Sequence, residues 1–205
     1  MTSAFSLTAA LISLGIVTAC TDAGSRPVQQ ATTGQGADIA AGAFDAVELR
    51  GGGHVMLRYG NTERVRLVEG STAYTSFHVE DRTLVINACN DNCPDRYELQ
   101  IDITIPDIKA VAIDGGGHIE SAPGFPAQNM ITAAVNGGGH INLDNLNADN
   151  GTAAVHGGGH IQIHAKSMLT AAVDGGGAIR YTGNPRVTSA INGGGSIQAG
   201  SDTGD

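Results

Sequence analysis

The chain has 205 residues, of which 30 are glycine, and its 11 basic and 20 acidic side chains give a formal net charge of −9. Phosphate binding needs a basic surface, so this charge argues against nucleic acid as a partner. Because each glycine inside a helix costs about 1 kcal/mol, the composition also argues against a helical bundle; with 41% apolar but only 4% aromatic residues, the core must consist of Val, Ile, Leu and Ala.

The chain begins with an apolar stretch at positions 4–19, which is shorter than the roughly 20 residues of a membrane-spanning helix. This stretch ends in VTAC and resembles a bacterial lipobox, which implies cleavage before Cys20 and lipid attachment to that cysteine. We therefore predict a lipoprotein signal peptide at residues 1–19 and a protein lipid-anchored in the bacterial cell envelope, at the outer membrane or facing the periplasm. An ordinary cleaved signal and a buried N-terminal segment remain alternatives, since no Lys or Arg precedes the apolar stretch.

The segment that follows the predicted signal is rich in Gly, Thr, Gln and Ala and has no period. Such a composition is typical of a flexible linker, so residues 20–42 are predicted to be a lipidated tether. The folded domain is expected at residues 43–199, followed by a disordered tail at 200–205.

Two further cysteines, Cys89 and Cys93, lie in the polar segment CNDNCP between two alternating stretches, TLVINA and YELQIDITI. In an exported protein a close pair of cysteines most simply forms a disulfide, which here would pin a turn between two strands. A zinc site would need two more ligands, and the sequence offers no second cysteine pair.

A triple glycine recurs six times, beginning at residues 51, 115, 137, 157, 175 and 193. Short alternating apolar segments flank each triplet, and no helical period occurs between residues 43 and 199. Repeats of about 20 residues are typical of solenoids, so we predict an all-β, single-stranded parallel β-helix. A right-handed coil is favoured because crossovers of that hand dominate, although the left-handed type also suits an 18-residue coil. The first interval is close to three coil lengths, and the strand-rich residues 54–110 are expected to form a less regular terminal cap.

Alternation predicts which side chains face the interior, because successive residues of a strand point to opposite sides. The expected inward residues are Val135, Val155, Val173 and Ile191 before the triplets, and Ile119, Ile141, Ile161, Ile179 and Ile197 after them. The glycines are interpreted as a stacked corner in which Cβ atoms would collide. A phosphate-binding loop is not supported, because neither GxGxxG nor GxxxxGK[ST] occurs.

Several segments together resemble a known bacterial family of unknown function, the head GIN domain of auto-transporter adhesins. These are FDAVELRGGG, then LQIDITIPDIKAVAIDGGGHI, then the repeated GGG-x-I units, over roughly residues 43–199. The resemblance implies a β-helix like that of pectin lyases, export to the envelope and an adhesive role. It supplies no catalytic residues, and the family usually has serine where this chain has histidine after the glycines.

Outward positions carry the remaining candidate chemistry. The residues directly after three triplets are His118, His140 and His160, and His54 holds the matching place in the first unit. Stacked one coil apart, His118, His140 and His160 are expected to form a surface ladder. Convergence of these three on a metal ion is the alternative, but ligands in a straight column do not surround an ion tetrahedrally without a fourth ligand from another column. Outward carboxylates that could serve a polysaccharide-acting enzyme are Asp114, Glu120 and Asp144.

The predicted function is non-catalytic: a lipid-anchored envelope protein whose β-helix surface serves adhesion or structural interaction. The expected partners are the membrane, through the anchor, and an envelope or extracellular polymer or protein. No cofactor, resident metal or catalytic residue is predicted. Alternatives are a β-helix enzyme acting on polysaccharide and a metal-binding envelope protein that uses the histidines.

Overall fold

The computed structural model describes residues 26–27, 36–90 and 92–200, and within these ranges it contains strands, turns and bends but no helix. The predicted signal peptide, Cys20, most of the predicted tether and residues 201–205 lie outside the described residues. Among the described residues, no helix could cross a membrane. The all-β class is confirmed, and the described strands all belong to one curled sheet.

The strands are numbered in chain order. They are β1 Arg26–Pro27, β2 Ala37–Ile39, β3 Ala46–Gly51, β4 His54–Tyr59, β5 Arg64–Glu69, β6 Ser76–Glu80, β7 Thr83–Asn87, β8 Gln100–Ile105, β9 Ala110–Gly115, β10 His118–Ser121, β11 Gln128–Gly137, β12 His140–Gly157, β13 His160–Gly175, β14 Ala178–Thr182, β15 Arg186–Asn192 and β16 Ser196–Ala199.

Most of the sheet consists of two parallel ladders joined at the glycine triplets. Ladder A runs β7, β3, β9, β11, the second half of β12, the second half of β13, then β15. Ladder B runs β8, β4, β10, the first half of β12, the first half of β13, β14, then β16. Since β12 and β13 are 18 and 16 residues long, each leaves ladder B and continues into ladder A without a break in the strand.

The first two triplets are direct neighbours in the stack, although they begin 64 residues apart in sequence. Gly51 pairs with Gly115 because the intervening chain leaves this position and later returns to it. In between, β7 and β8 add a unit on the outer side of β3 and β4. Antiparallel strands then extend this end, β6 and β1 beyond β7, and β5 and β2 beyond β8. Three stacked coils therefore do not fill the first interval.

The predicted tether differs from the structure at residues 37–39. These residues form β2, which pairs antiparallel with β5 and buries Ala37 and Ile39. The side chains of Ala37 and Ile39 cover the outer end of ladder B, and their burial stabilises this strand.

The inward assignment of the repeat core is confirmed for seven of the nine predicted positions. Val135, Val155, Val173, Ile119, Ile141, Ile161 and Ile179 are each at most 2% exposed. Ile191 and Ile197 are in register with the buried Val173 and Ile179 and so lie on the same inward face, but Ile191 is 49% exposed and Ile197 is only partly buried. Both residues lie in β15 and β16, the last described strands of the two ladders, so no further described unit packs over them.

The glycine corner is sterically required at two of its three positions. Gly137 has a φ of +115°, and a Cβ there would lie 2.7 Å from the carbonyl oxygen of Gly115. A Cβ on Gly139 would lie 2.6 Å from the side chain of Ile113. At Gly138, between them, a Cβ would meet no atom within 4 Å. The predicted collision is thus confirmed for the first and third glycines and wrong for the middle one.

The Cys89–Cys93 disulfide is present, and it takes the place of a triplet in the outermost unit. It lies between β7 and β8, where every other unit of the two ladders has its glycine corner. The amide of Ala88 donates to the carbonyl of Arg50, and the amide of His54 donates to the carbonyl of Leu99. The disulfide-closed corner therefore covers the end of the glycine stack.

Candidate functional site

The candidate site is the histidine column, defined as His54, His118, His140 and His160. Each residue begins a strand of ladder B directly after a triplet, and register pairs them in that order. Gln100 precedes His54 in the same column, while Ala178 and Ser196 continue it beyond His160. The structure thus brings together the three histidines of the predicted ladder and places His54, which holds the matching position in the first unit, at their end.

Backbone hydrogen bonds from the glycine corner fix the spacing of this column. The amide of His118 donates to the carbonyl of Gly53 at 2.8 Å, and the amide of His140 donates to the carbonyl of Gly117 at 2.9 Å. The same bond joins successive units farther along the column. Because the histidines are held at the strand spacing of about 4.8 Å, their rings must stack, turn on edge or diverge.

The rings adopt two different arrangements along the column. The rings of His118 and His140 stack in parallel, with centroids 4.8 Å apart and planes 1° apart. His160 continues the stack more loosely, with its centroid 6.1 Å from that of His140. In contrast, His54 lies edge-on to His118, at 5.1 Å and 77°.

Glu120 lies next to the edge-on ring. Its Oε1 is 2.9 Å from Nε2 of His54, and its Oε2 is 3.7 Å from Nε2 of His118. It is two residues after His118 on β10, so alternation places both side chains on the same face. One carboxylate therefore contacts two histidines from neighbouring strands.

The column favours neutral imidazole at its centre. Burial lowers the pKa of His118, with a smaller contribution from the nearby charge of His54, while Glu120 acts in the opposite direction. Burial also lowers the pKa of His140, and the flanking His118 and His160 add to this effect. Protonating adjacent rings at this spacing would place like charges side by side, and partial burial adds a desolvation cost.

The profile of one protein family matches this sequence over most of its folded part. The family is described as "Putative auto-transporter adhesin, head GIN domain", and it matches residues 43–130 and again residues 126–185. This chain belongs to the GIN-domain family. The resemblance stated from the sequence is confirmed.

A comparison with solved structures finds matches to this GIN domain. A putative adhesin from Bacteroides fragilis is 18% identical and aligns over 84% of this chain and 98% of its own, with a TM-score of 0.52. A putative adhesin from Parabacteroides merdae is 17% identical over 83% and 96% of the two chains, with a TM-score of 0.38. At such identity the likeness to the Bacteroides protein shows the fold alone. A comparison with curated proteins gives no match.

The outward face of ladder B in this GIN domain is polar and shallow beside the column. Its second outward column is Asp102, Met56, Glu120, Asn142, Gln162, Arg180 and Gln198. A depression of about 190 Å³ lies at the C-terminal end of this face, where Gln162, Arg180 and Gln198 line it together with His160.

The carboxylates considered for catalysis do not belong to one column of the GIN domain. Asp114 lies in ladder A, where it accepts a hydrogen bond of 3.0 Å from the side-chain amide of Asn136. Glu120 lies in ladder B beside the histidines, and Asp144 follows the part of β12 that pairs in ladder B. Sequence reasoning considered Glu120 only as a possible catalytic acid and missed its contact with His54. Two sequence features could have predicted this contact. Glu120 follows His118 by two residues, and GGGH at residues 51–54 repeats the GGGH that ends at His118.

Proposed function

We propose that this GIN-domain protein is a non-catalytic adhesin of the bacterial cell envelope, anchored by lipid at Cys20. Its repeat units are turns of a parallel β-helix, and the outer face of that β-helix contacts an envelope or extracellular polymer or protein. Membership of the adhesin-head family is the observation that carries the proposal.

The geometry of ladder B supports a binding surface of this kind. Its outward columns carry polar groups at the strand spacing of about 4.8 Å, as in Asn142, Gln162, Arg180 and Gln198. A regular row of amides and hydroxyl or imidazole groups can hydrogen-bond to successive groups of an extended chain. Such contacts are individually weak, so binding depends on the number that form together.

The β-helix proposal rests on the parallel register and on the long strands. Equivalent residues pair from unit to unit, as in Ile119, Ile141 and Ile161, and β12 and β13 lead directly from one ladder into the other. This is the connectivity expected of a chain that winds repeatedly around one apolar interior.

The proposed binding is tested with vesicles that carry the mature lipidated protein. These vesicles are exposed to immobilised peptidoglycan, envelope polysaccharides and extracellular proteins, and retention is compared with protein-free vesicles. Arg180→Ala removes a charge from the outward face of ladder B and is expected to reduce retention. The matched control Lys166→Ala removes an exposed charge from the part of β13 between the two ladders and should leave retention unchanged.

Two results would overturn the proposal. Equal retention of protein-bearing and protein-free vesicles on all three surfaces would contradict adhesion. Release of shortened saccharides from the polysaccharide surface would instead support the enzymatic alternative.

A further inference from the structure

The edge-on arrangement of His54 leaves three metal-ligating side chains facing one another at one end of the histidine column. One ligand atom from each of His54, His118 and Glu120 lies within 4.8 Å of the other two. We propose that these three residues form a binding site for a borderline transition-metal dication, with Zn²⁺ as the best match. The proposal is independent of the adhesive function.

The distances between the ligand atoms are close to those of a zinc site. With Zn–N and Zn–O bonds of about 2.0–2.2 Å, tetrahedral ligand atoms lie roughly 3.3 Å apart. Oε1 of Glu120 is 2.9 Å from Nε2 of His54 and its Oε2 is 3.7 Å from Nε2 of His118, on either side of that value, and the ligand atoms of the two histidines lie within 4.8 Å of each other. Small rotations of the two rings therefore suffice to direct all three ligands at one ion.

The nitrogen of His54 that lies near Glu120 has no hydrogen-bond partner among the described residues. Its Nε2 is shielded from solvent and makes no hydrogen bond within the described part of the chain, despite its short distance to the carboxylate. The two atoms are close without sharing a hydrogen bond, and a cation between them would give both of them a partner. Buried polar atoms without hydrogen bonds are uncommon, so this nitrogen calls for an explanation such as an ion.

The protein backbone holds the ligands in place before any ion arrives. His54 and His118 are direct register partners on β4 and β10, and Glu120 is two residues along β10 on the same face. Two imidazoles and a carboxylate form a borderline donor set, which suits zinc better than calcium or magnesium.

The other two histidines of the column are not part of this site. The ring of His140 lies flat against that of His118, and its Nε2 is 3.4 Å from the side-chain amide nitrogen of Gln162. His160 stacks on the far side of His140. The set His118, His140 and His160, which the sequence offered as a metal alternative, is therefore stacked rather than convergent. The side chains of His54, His118 and Glu120 are 36%, 40% and 30% exposed, so a fourth ligand can be water or a group from a partner.

Zinc titration of the untagged mature protein by calorimetry tests the site. The expected result for wild type is saturable binding of one ion per chain. His54→Asn and Glu120→Gln each remove one ligand, and both should weaken binding by more than the roughly 10- to 100-fold that loss of an outer-shell partner costs. His160→Asn, a matched change in the same column, should leave the affinity unchanged. Thermal unfolding without metal establishes that each variant is folded.

Histidine nitrogen chemical shifts provide a second measurement on wild-type protein, which removes any dependence on the variants. Zinc should shift the ring resonances of His54 and His118 more than that of His160. The proposal is overturned if wild type shows no saturable binding, or if Glu120→Gln binds as tightly as wild type. It is also overturned if His160→Asn weakens binding as much as His54→Asn, because that result would assign the ion to the stacked histidines.

Discussion

The three glycines of a triplet occupy different environments, and this difference can be measured one residue at a time. Gly157 has a φ of +112°, and a Cβ on it would lie 2.7 Å from the carbonyl oxygen of Gly137. A Cβ on Gly159 would collide with the side chain of Val135 and lie 2.7 Å from the carbonyl oxygen of Gly139. A Cβ on Gly158 would meet nothing within 4 Å. Neighbouring glycines in sequence therefore have opposite tolerance to a side chain.

Gly157→Ala and Gly159→Ala are expected to lower the stability of the fold. For Gly157 the strained backbone alone costs about 1–3 kcal/mol, and the contact with the neighbouring unit adds to that cost. Gly158→Ala serves as the matched control and should change stability by no more than about 0.5 kcal/mol. Thermal unfolding ranks the stabilities of the three variants. Equal melting temperatures would contradict the close approach of the backbones at the first and third glycines.

A half-buried carboxylate directly before β3 predicts how the fold responds to acid. Asp45 is 14% exposed, and its Oδ2 accepts hydrogen bonds from Lys109 at 2.6 Å and from Arg82 at 3.0 Å. The hydrogen bond from Lys109 is the largest cause that lowers the pKa of Asp45, and Arg82 adds to it. The folded state therefore binds the proton less readily than the unfolded state, whose Asp pKa is about 3.9.

The stability contributed by Asp45 is present above the ordinary Asp pKa and is lost as the pH falls from there through the lower folded-state value. Asp45→Asn should lower the melting temperature at neutral pH and reduce its fall below about pH 4. Asp107→Asn, at an exposed position, is the control and should show the same dependence of melting temperature on pH as wild type. Parallel profiles for wild type and Asp45→Asn between pH 7 and pH 3 would contradict this role of the ion pairs.

At the scale of the strand, the two faces of ladder B can be compared with adjacent residues. Ile161 is 1% exposed in the isoleucine column, whereas the side chain of Gln162 points outward between Asn142 and Arg180. An unpaired charge inside the apolar stack costs several kcal/mol. Ile161→Asp should therefore unfold or aggregate the protein, while Gln162→Asp should remain folded. Circular dichroism and size-exclusion chromatography distinguish the two, and similar behaviour of both variants would contradict the assigned register.

The sequence predicts strands well here because the repeat supplies the same signal many times. Alternation around each triplet predicts the inward residues Ile119, Ile141 and Ile161, and burial confirms them. It does not predict that β7 and β8 lie outside β3 and β4, since the choice of partner at the edge of a sheet depends on long-range pairing. For the same reason, the sequence does not predict the contact between His54 and Glu120, which are far apart in sequence but lie on adjacent strands.

For the whole molecule, the anchor remains a prediction that rests on the apolar stretch ending in VTAC. The mature protein extracted from membranes should begin at an acylated Cys20, which intact-mass spectrometry detects. Cys20→Ser should release the protein from the membrane fraction, because the thiol that carries the lipid is absent. Cys93→Ser removes a different cysteine and should leave the protein in the membrane fraction. An unacylated, soluble wild-type protein would contradict the anchor.

The middle glycines give the folded domain an unoccupied row of attachment points. Gly116, Gly138, Gly158, Gly176 and Gly194 are exposed, and a Cβ on any of them meets no atom within 4 Å. Successive positions in this row are one strand spacing apart, about 4.8 Å. Chosen pairs can therefore carry spin labels or fluorophores at graded separations along a rigid support, so the domain can serve as a molecular ruler.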